Sequence, residues 1–305
     1  MIIVVSGSTG LIGSALVPRL VGEGHEVVPL VRRRVPAGER ALSWDPDAGK
    51  IDRCALDATG ADVVVHLAGE NVFGRWTPAK KQRIRDSRVQ GTRLLSETLA
   101  SLTRPPSVLL AASAIGFYGD RGEEEMREGS SAGDDFLAQV ARDWEAATAP
   151  AANAGIRVHN LRFGVVLAPK TGALAKMLPA FRLGLGGPVG SGNQYLSWIS
   201  LDDAVNAILH VLATPSLAGP VNITAPAPVT SRDFAKTLGK VLGRPAVVTV
   251  PAFALRMAFG TDGAAMLQSG QRVLPARLLE SGFRFRYETL EPALRHLLAA
   301  PEGGR

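Results

Sequence analysis

The sequence predicts an α/β fold: a doubly wound, parallel sheet with helices on both faces, joined to a smaller C-terminal cap domain. Three observations carry this expectation. Apolar, β-branched runs alternate with helical patterns through the first 168 residues, as strands buried on both faces require. A glycine-rich turn follows the first run directly. Beyond residue 168 the texture changes to Gly/Pro-rich segments separated by shorter helical stretches.

In chain order, "MIIVVS" reads as a strand, "GSTG" as a turn, and "LIGSALVPRLVGEG" as a helix with apolar residues at 3.6-residue spacing. "HEVVPLVR" is a second strand, and after a polar crossover "ADVVVHLAG" is a third. "PSVLLAAS" and "IRVHNLRF" supply two more, with helices expected at 77–102 and 134–154. Right-handed crossovers then give the doubly wound arrangement. "RLGLGGPVGSGNQYLSW" and "ITAPAPVTS" read as cap segments, with helices at 201–213 and 230–242. The expected division is a nucleotide domain over 1–168 plus about 197–225, a cap over 169–196 and 226–299, and a tail at 300–305.

Composition narrows the class. The 305 residues are 46% hydrophobic and 20% charged, the balance of a globular protein with a large core. A single cysteine, Cys54, cannot close an internal disulfide, and the chain enters "IIVVSGSTG" without a leader, so a cytoplasmic protein is expected. No apolar run approaches membrane-spanning length. The net charge of +6 does not point to nucleic acid, because the basic residues cluster only at 32–34 and 75–93. Those clusters suit a small anionic ligand. The five histidines are dispersed without neighbouring ligand residues, so no metal site is expected.

Gly7, Gly10 and Gly13 lie between the first strand and its helix, spaced G-x-x-G-x-x-G, with Ser8, Thr9, Leu11 and Ile12 completing the loop. Glycine permits the tight turn, lets backbone approach a pyrophosphate, and allows close helix packing, while the helix N-terminus offers amide donors. The spacing in this setting predicts an NAD(P)-binding Rossmann domain. An acid at the end of strand two would select NAD through the ribose 2′-hydroxyl; this chain reads "PLVRRR" there. Arg32 and Arg33 can pair with a 2′-phosphate, so NADP(H) is the expected cofactor.

These motifs, with "HLAG" at 66–69, "RVQGT" at 88–92, "SAIGFYG" at 113–119 and "LRFGVVL" at 161–167, resemble the extended short-chain dehydrogenase/reductase superfamily. The longer segments "HLAGENVFGRWTPAKKQRIRDSRVQGTRLL", "GLGGPVGSGNQYLSWISLDDAV" and "GQRVLPARLLESGFRF" are similar to its atypical branch of nucleoside-diphosphate-sugar epimerase-like proteins, which end in a small domain of unassigned function. The resemblance implies NADP(H) on an extended Rossmann domain, with Leu67, Ala68 and Gly69 at the cofactor and the substrate unassigned.

The departures are as informative. The superfamily's hydride chemistry uses a Tyr-x-x-x-Lys pair, whereas Gly122, Ile199 and Glu291 stand four residues after Tyr118, Tyr195 and Tyr287. Phe136 and Val140 take the two positions by alignment, and Arg88 replaces the asparagine of "N-V-x-G-T". The family serine falls on Ser113 or Ala114. Tyr118, after the strand "SVLLAAS", is the phenol expected to border the nicotinamide end of the cleft, as a ligand contact or an acid/base, with plain packing as the other reading, and Ser113 beside it is the other catalytic candidate.

Glu70 sits where a cofactor contact is expected, and Asn71 beside it is a substrate candidate. Trp76 either stacks on a ligand or packs, and Arg88 either meets substrate or pairs with Asp86. Gln194, Tyr195 and Trp198 are substrate contacts if "GGPVGSGNQYLSW" closes over the cleft; a rigid joining loop is the other reading. Two functions of different class follow. One is an NADP(H)-dependent oxidoreductase or epimerase-like enzyme with a small or nucleotide-linked substrate, able to form a homodimer. The other is an NADP(H)-sensing protein that has lost the catalyst.

Overall fold

The computed structural model describes residues 1–299. The expected tail at 300–305 lies outside them. In chain order the strands are β1 (Ile2–Ser6), β2 (Glu26–Val31), β3 (Leu42–Asp45), β4 (Lys50–Ile51), β5 (Val63–His66), β6 (Val108–Ala114) and β7 (Glu125–Met126). They continue as β8 (Arg157–Phe163), β9 (Val165–Leu167), β10 (Tyr195–Leu196), β11 (Trp198–Ser200), β12 (Val221–Ile223), β13 (Val229–Thr230) and β14 (Arg272–Val273). The helices are α1 (Gly13–Gly22), α2 (Arg53–Thr59), α3 (Pro78–Ala100), α4 (Phe136–Ala146), α5 (Ala149–Asn153) and α6 (Gly172–Arg182). After them come α7 (Leu201–Ala213), α8 (Ser231–Leu242), α9 (Ala252–Gln268), α10 (Ala276–Glu280) and α11 (Leu290–Leu298).

The main sheet runs β12-β8-β6-β5-β1-β2-β3-β4, parallel throughout except for the β3–β4 hairpin. Alternation along β1 sends Ile3 and Val5 to one face and Val4 to the other. Ile3 and Val5 pack with Leu16 and Leu20 of α1 and Val205 and Ile208 of α7, whereas Val4 packs with Leu95 and Leu99 of α3. This two-sided burial is the reason the strands read as continuous apolar runs.

The sequence reading of the stretch between "HEVVPLVR" and "ADVVVHLAG" as a polar crossover missed β3, β4 and α2. Their signal is short: Leu42 and Trp44 are buried while Ser43 and Asp45 are exposed, an alternation only four residues long. The helix expected over 134–154 is two helices, α4 and α5, with Pro150 at the start of the second. Proline lacks the N–H that a continuous helix needs there.

A further core gathers Leu174, Leu178 and Phe181 of α6, Trp198, Phe234 and Leu238 of α8, and Leu290 and Leu294 of α11. The C-terminal stretch does not all belong to that core. Leu278 and Phe283 are buried in the core of the main sheet, and β14 pairs with β7 in parallel.

Candidate cofactor and substrate site

The loop after β1 is built around its glycines. Gly7 has φ +71, and a Cβ there would lie 2.7 Å from the Leu67 carbonyl carbon and 2.8 Å from the Ala68 nitrogen. Backbone from the ends of β1 and β5 thus meets at a distance that only glycine permits. A Cβ on Gly13 would lie 2.2 Å from the Gly7 oxygen, which fixes how closely α1 packs on the turn. Gly10 is different: it is exposed, and a Cβ on it would meet only the Gly7 oxygen, at 3.2 Å. A side chain there asks the protein for a shift of a few tenths of an ångström only, whereas a close ligand would exclude it.

The start of α1 has no side-chain cap and no acid in its first turn. Among the described residues the amides of Leu11 and Ile12 have no backbone acceptor. Open donors at a helix N-terminus beside a bare glycine fit a pyrophosphate. Ser8 is half-buried and Thr9 exposed on the same loop.

The two candidate arginines are placed differently. Arg33 forks onto Glu39, its Nη1 donating to Oε2 at 3.0 Å and its Nη2 to Oε1. Arg32 is exposed and has no hydrogen bond or ion pair among the described residues. The Glu70 carboxylate turns to Lys80 Nζ at 2.6 Å, and this contact holds its pKa below the usual carboxylate range. Asn71 is exposed and closes its own turn by accepting from the Phe73 amide at 2.8 Å.

Gly69 is exposed, and a Cβ on it would sit 3.6 Å from the Arg88 guanidinium carbon. Arg88 Nη1 donates to the carbonyls of Glu70 at 3.0 Å and Ile84 at 3.1 Å, and the guanidinium lies 5.0 Å from the Trp144 ring. The pairing with Asp86 weighed from sequence does not form; Asp86 accepts from Gln82 instead. Trp76 is 9% exposed, donates from Nε1 to the Val72 carbonyl at 2.7 Å, and meets Phe136 edge-on at 5.7 Å. Together with Lys81, Arg85 and Asp262, the two rings line a surface groove of about 380 Å³.

Tyr118 corrects the expectation of a cleft-lining phenol. It lies in a 3-10 turn, is 0% exposed, and donates to Asn222 Oδ1 at 2.7 Å while accepting from Arg162 Nη1 at 2.9 Å. Burial raises its pKa further, so it is no ready base. Ser113 is also buried, donating to Glu145 Oε1 at 2.6 Å. Position after the strand predicted exposure; the side chain instead turns under the β7–β14 pair, packing with Met126 and Val273.

Trp198 is likewise no ligand contact, being fully buried with Nε1 donating to the Ala227 carbonyl at 3.0 Å. Gln194 and Tyr195 are half-buried; Gln194 donates to the Val189 carbonyl at 2.9 Å, and Tyr195 sits in the short β10–β13 pair. Sequence reasoning missed Glu145, Arg162, Asn222 and Glu128, whose carbonyl accepts from Arg162 Nη1 at 3.2 Å and whose Oε1 accepts from the Asn222 amide at 3.1 Å. The available signal was an arginine inside the apolar run "HNLRF", which demands a buried partner.

A model of the NAD dependent epimerase/dehydratase family matches residues 3–224. The chain belongs to that family. A domain of unknown function, DUF1731, matches residues 250–297. Among similar proteins of the epimerase/dehydratase family, an epimerase family protein of Mycobacterium bovis is 44% identical, over 98% of this chain and 98% of its own. Epimerase family protein YfhF of Bacillus subtilis is 37% identical, with 98% of each chain covered. The crystal structure of human epimerase family protein SDR39U1 with NADPH superposes with a TM-score of 0.87, at 34% identity, covering 97% of this chain and 99% of that one.

Within this epimerase/dehydratase chain, Phe136 and Val140 occupy the first turns of α4 and carry no proton-transfer group. Phe136 lies under Lys81 Nζ at 4.4 Å, and Val140 is buried. The residues present therefore fit the dinucleotide better than they fit the family's acid/base pair.

Proposed function

We propose that the protein is an NADP(H)-binding oxidoreductase or epimerase-like enzyme of the extended short-chain type, acting on a small or nucleotide-linked substrate. The observation that carries this reading is the open turn Gly7–Gly13 with Arg32 unengaged beside it. In it, Leu11 and Ile12 amides hold the pyrophosphate, Arg32 meets the 2′-phosphate, and Leu67, Ala68 and Gly69 line the cofactor. A bound nicotinamide supplies or accepts hydride. Human SDR39U1 with NADPH supports the choice of cofactor through its likeness to this chain.

The test is titration of NADPH and NADH against wild type and Arg32→Ala. A charge-assisted contact open only to the 2′-phosphate favours NADPH by about 1.5–3 kcal/mol. Equal affinities in wild type, or preference that survives Arg32→Ala, reject the assignment. The absence of Tyr-x-x-x-Lys and the engagement of Tyr118 and Ser113 in buried bonds favour a second reading, an NADP(H)-sensing protein without turnover. Cytoplasmic residence and a homodimer through the segments 77–102 and 134–154, which hold α3, α4 and α5, belong to the same proposal; sedimentation at micromolar concentration checks the dimer.

A further inference from the structure

The cations around the proposed cleft are mostly spoken for. Lys80 holds Glu70 at 2.6 Å, Lys81 holds Asp262 at 2.6 Å, and Arg85 holds Asp143 at 2.9 Å. Arg88 differs from all three. It is half-buried, and among the described residues no carboxylate lies within ion-pair distance of it. Its hydrogen bonds run from Nη1 to two carbonyls, leaving Nε and Nη2 without an acceptor among the described residues. The ring of Trp144, itself fixed by Nε1 donating to Thr92 Oγ1 at 2.9 Å, flanks the guanidinium.

A half-buried cation held in place without a counter-ion keeps donors open that an incoming oxyanion can complete. The guanidinium lies beside the bare face of Gly69, where a missing side chain leaves it uncovered at the carboxyl edge of the sheet. Glu70 cannot serve as the partner, because its carboxylate is turned to Lys80 and only its backbone carbonyl faces Arg88. The dinucleotide's own phosphates already have receivers in the α1 amides and Arg32.

We infer that Arg88 is the receptor for an oxyanion of the second ligand, so that the substrate carries a carboxylate or phosphate group. The inference rests on the NADP(H) reading above. Guanidinium geometry suits it, since the Nε and Nη2 edge offers two parallel N–H donors that match the two oxygens of either group. Its anchoring by two carbonyls and a ring keeps it oriented before the ligand arrives.

The test is calorimetric titration of oxalate and of inorganic phosphate into the NADPH-saturated protein, for wild type, R88Q and R88K. Wild type binds at least one of the two anions, and R88Q weakens that binding tenfold or more while NADPH affinity changes less than threefold. No binding of either anion to wild type, or equal binding to R88Q, overturns the inference. A tenfold loss of NADPH affinity in R88Q gives the guanidinium to the cofactor phosphates and overturns it as well. Should R88Q not fold, R88K decides: it keeps the charge without the two-donor fork, so the anion weakens at least threefold, and unchanged affinity counts against the assignment. If wild type binds no NADPH, the cofactor reading fails by itself, and the same anion titrations on the free protein still decide the role of Arg88.

Discussion

Arg162 of β8 grips Glu145 of α4 through two parallel hydrogen bonds, Nε to Oε1 at 2.7 Å and Nη2 to Oε2 at 2.8 Å. Both side chains are nearly excluded from solvent, at 4% and 12% exposure, and Ser113 and Tyr118 bond to the same pair. Removing one partner leaves the other charge buried. Glu145→Ala therefore costs about 3–5 kcal/mol, far more than an exposed pair would. Urea unfolding of the two proteins measures this; a loss under 1 kcal/mol shows that water reaches the site.

Tyr118→Phe deletes a hydroxyl that serves Asn222 and Arg162 at once. The expected destabilisation is about 1–3 kcal/mol, the cost of leaving buried polar groups unmet. NADPH affinity should not change. A variant of normal stability with impaired turnover would return Tyr118 to the cleft.

Substitutions at the glycine loop separate folding from binding. Gly13→Ala places a methyl 2.2 Å from the Gly7 oxygen and must move the helix, costing about 1–3 kcal/mol. Gly10→Val meets little protein and should melt near wild type, yet lose NADPH. Thermal melts with and without NADPH distinguish the two, and full ligand stabilisation of Gly10→Val would place the cofactor elsewhere.

Arg33 is committed to Glu39. Arg33→Ala should therefore leave NADPH preference within about threefold of wild type, in contrast to Arg32→Ala. Loss of preference in both would mean that Arg33 releases Glu39 when the cofactor binds, a readout obtained from the same titrations.

His66 is fully buried between Ser6 Oγ at 2.6 Å and Thr92 Oγ1 at 3.0 Å, and burial lowers its pKa to about 4. Between its unfolded value of 6.5 and about 4, the unfolded chain binds a proton that the native one refuses. Stability is thus full above that window and falls as pH drops through it, by about 3 kcal/mol in total. Denaturation at pH 7.5 and pH 5 measures the slope, which His66→Gln should flatten.

The strands of the main sheet were legible because burial on both faces writes itself as unbroken apolar runs, and the glycine turn because its geometry admits so few residue types. Short elements such as β3, whose burial alternates over Leu42–Asp45, offer too few residues to reveal a period. The candidate catalytic side chains failed for another reason. Sequence places Tyr118 at the end of a strand, but which way its ring turns is set by Asn222 and Arg162, more than forty residues away along the chain. Arg88 could be named from sequence as a departure; that Asp86 would not neutralise it was a matter of packing.

Because Leu278 and Phe283 lie in the core of the main sheet, residues that follow the epimerase/dehydratase match complete the interior of the part that it covers. Both side chains come from the region matched by DUF1731. The two family matches therefore share one hydrophobic core, and the boundary between them is no boundary in packing.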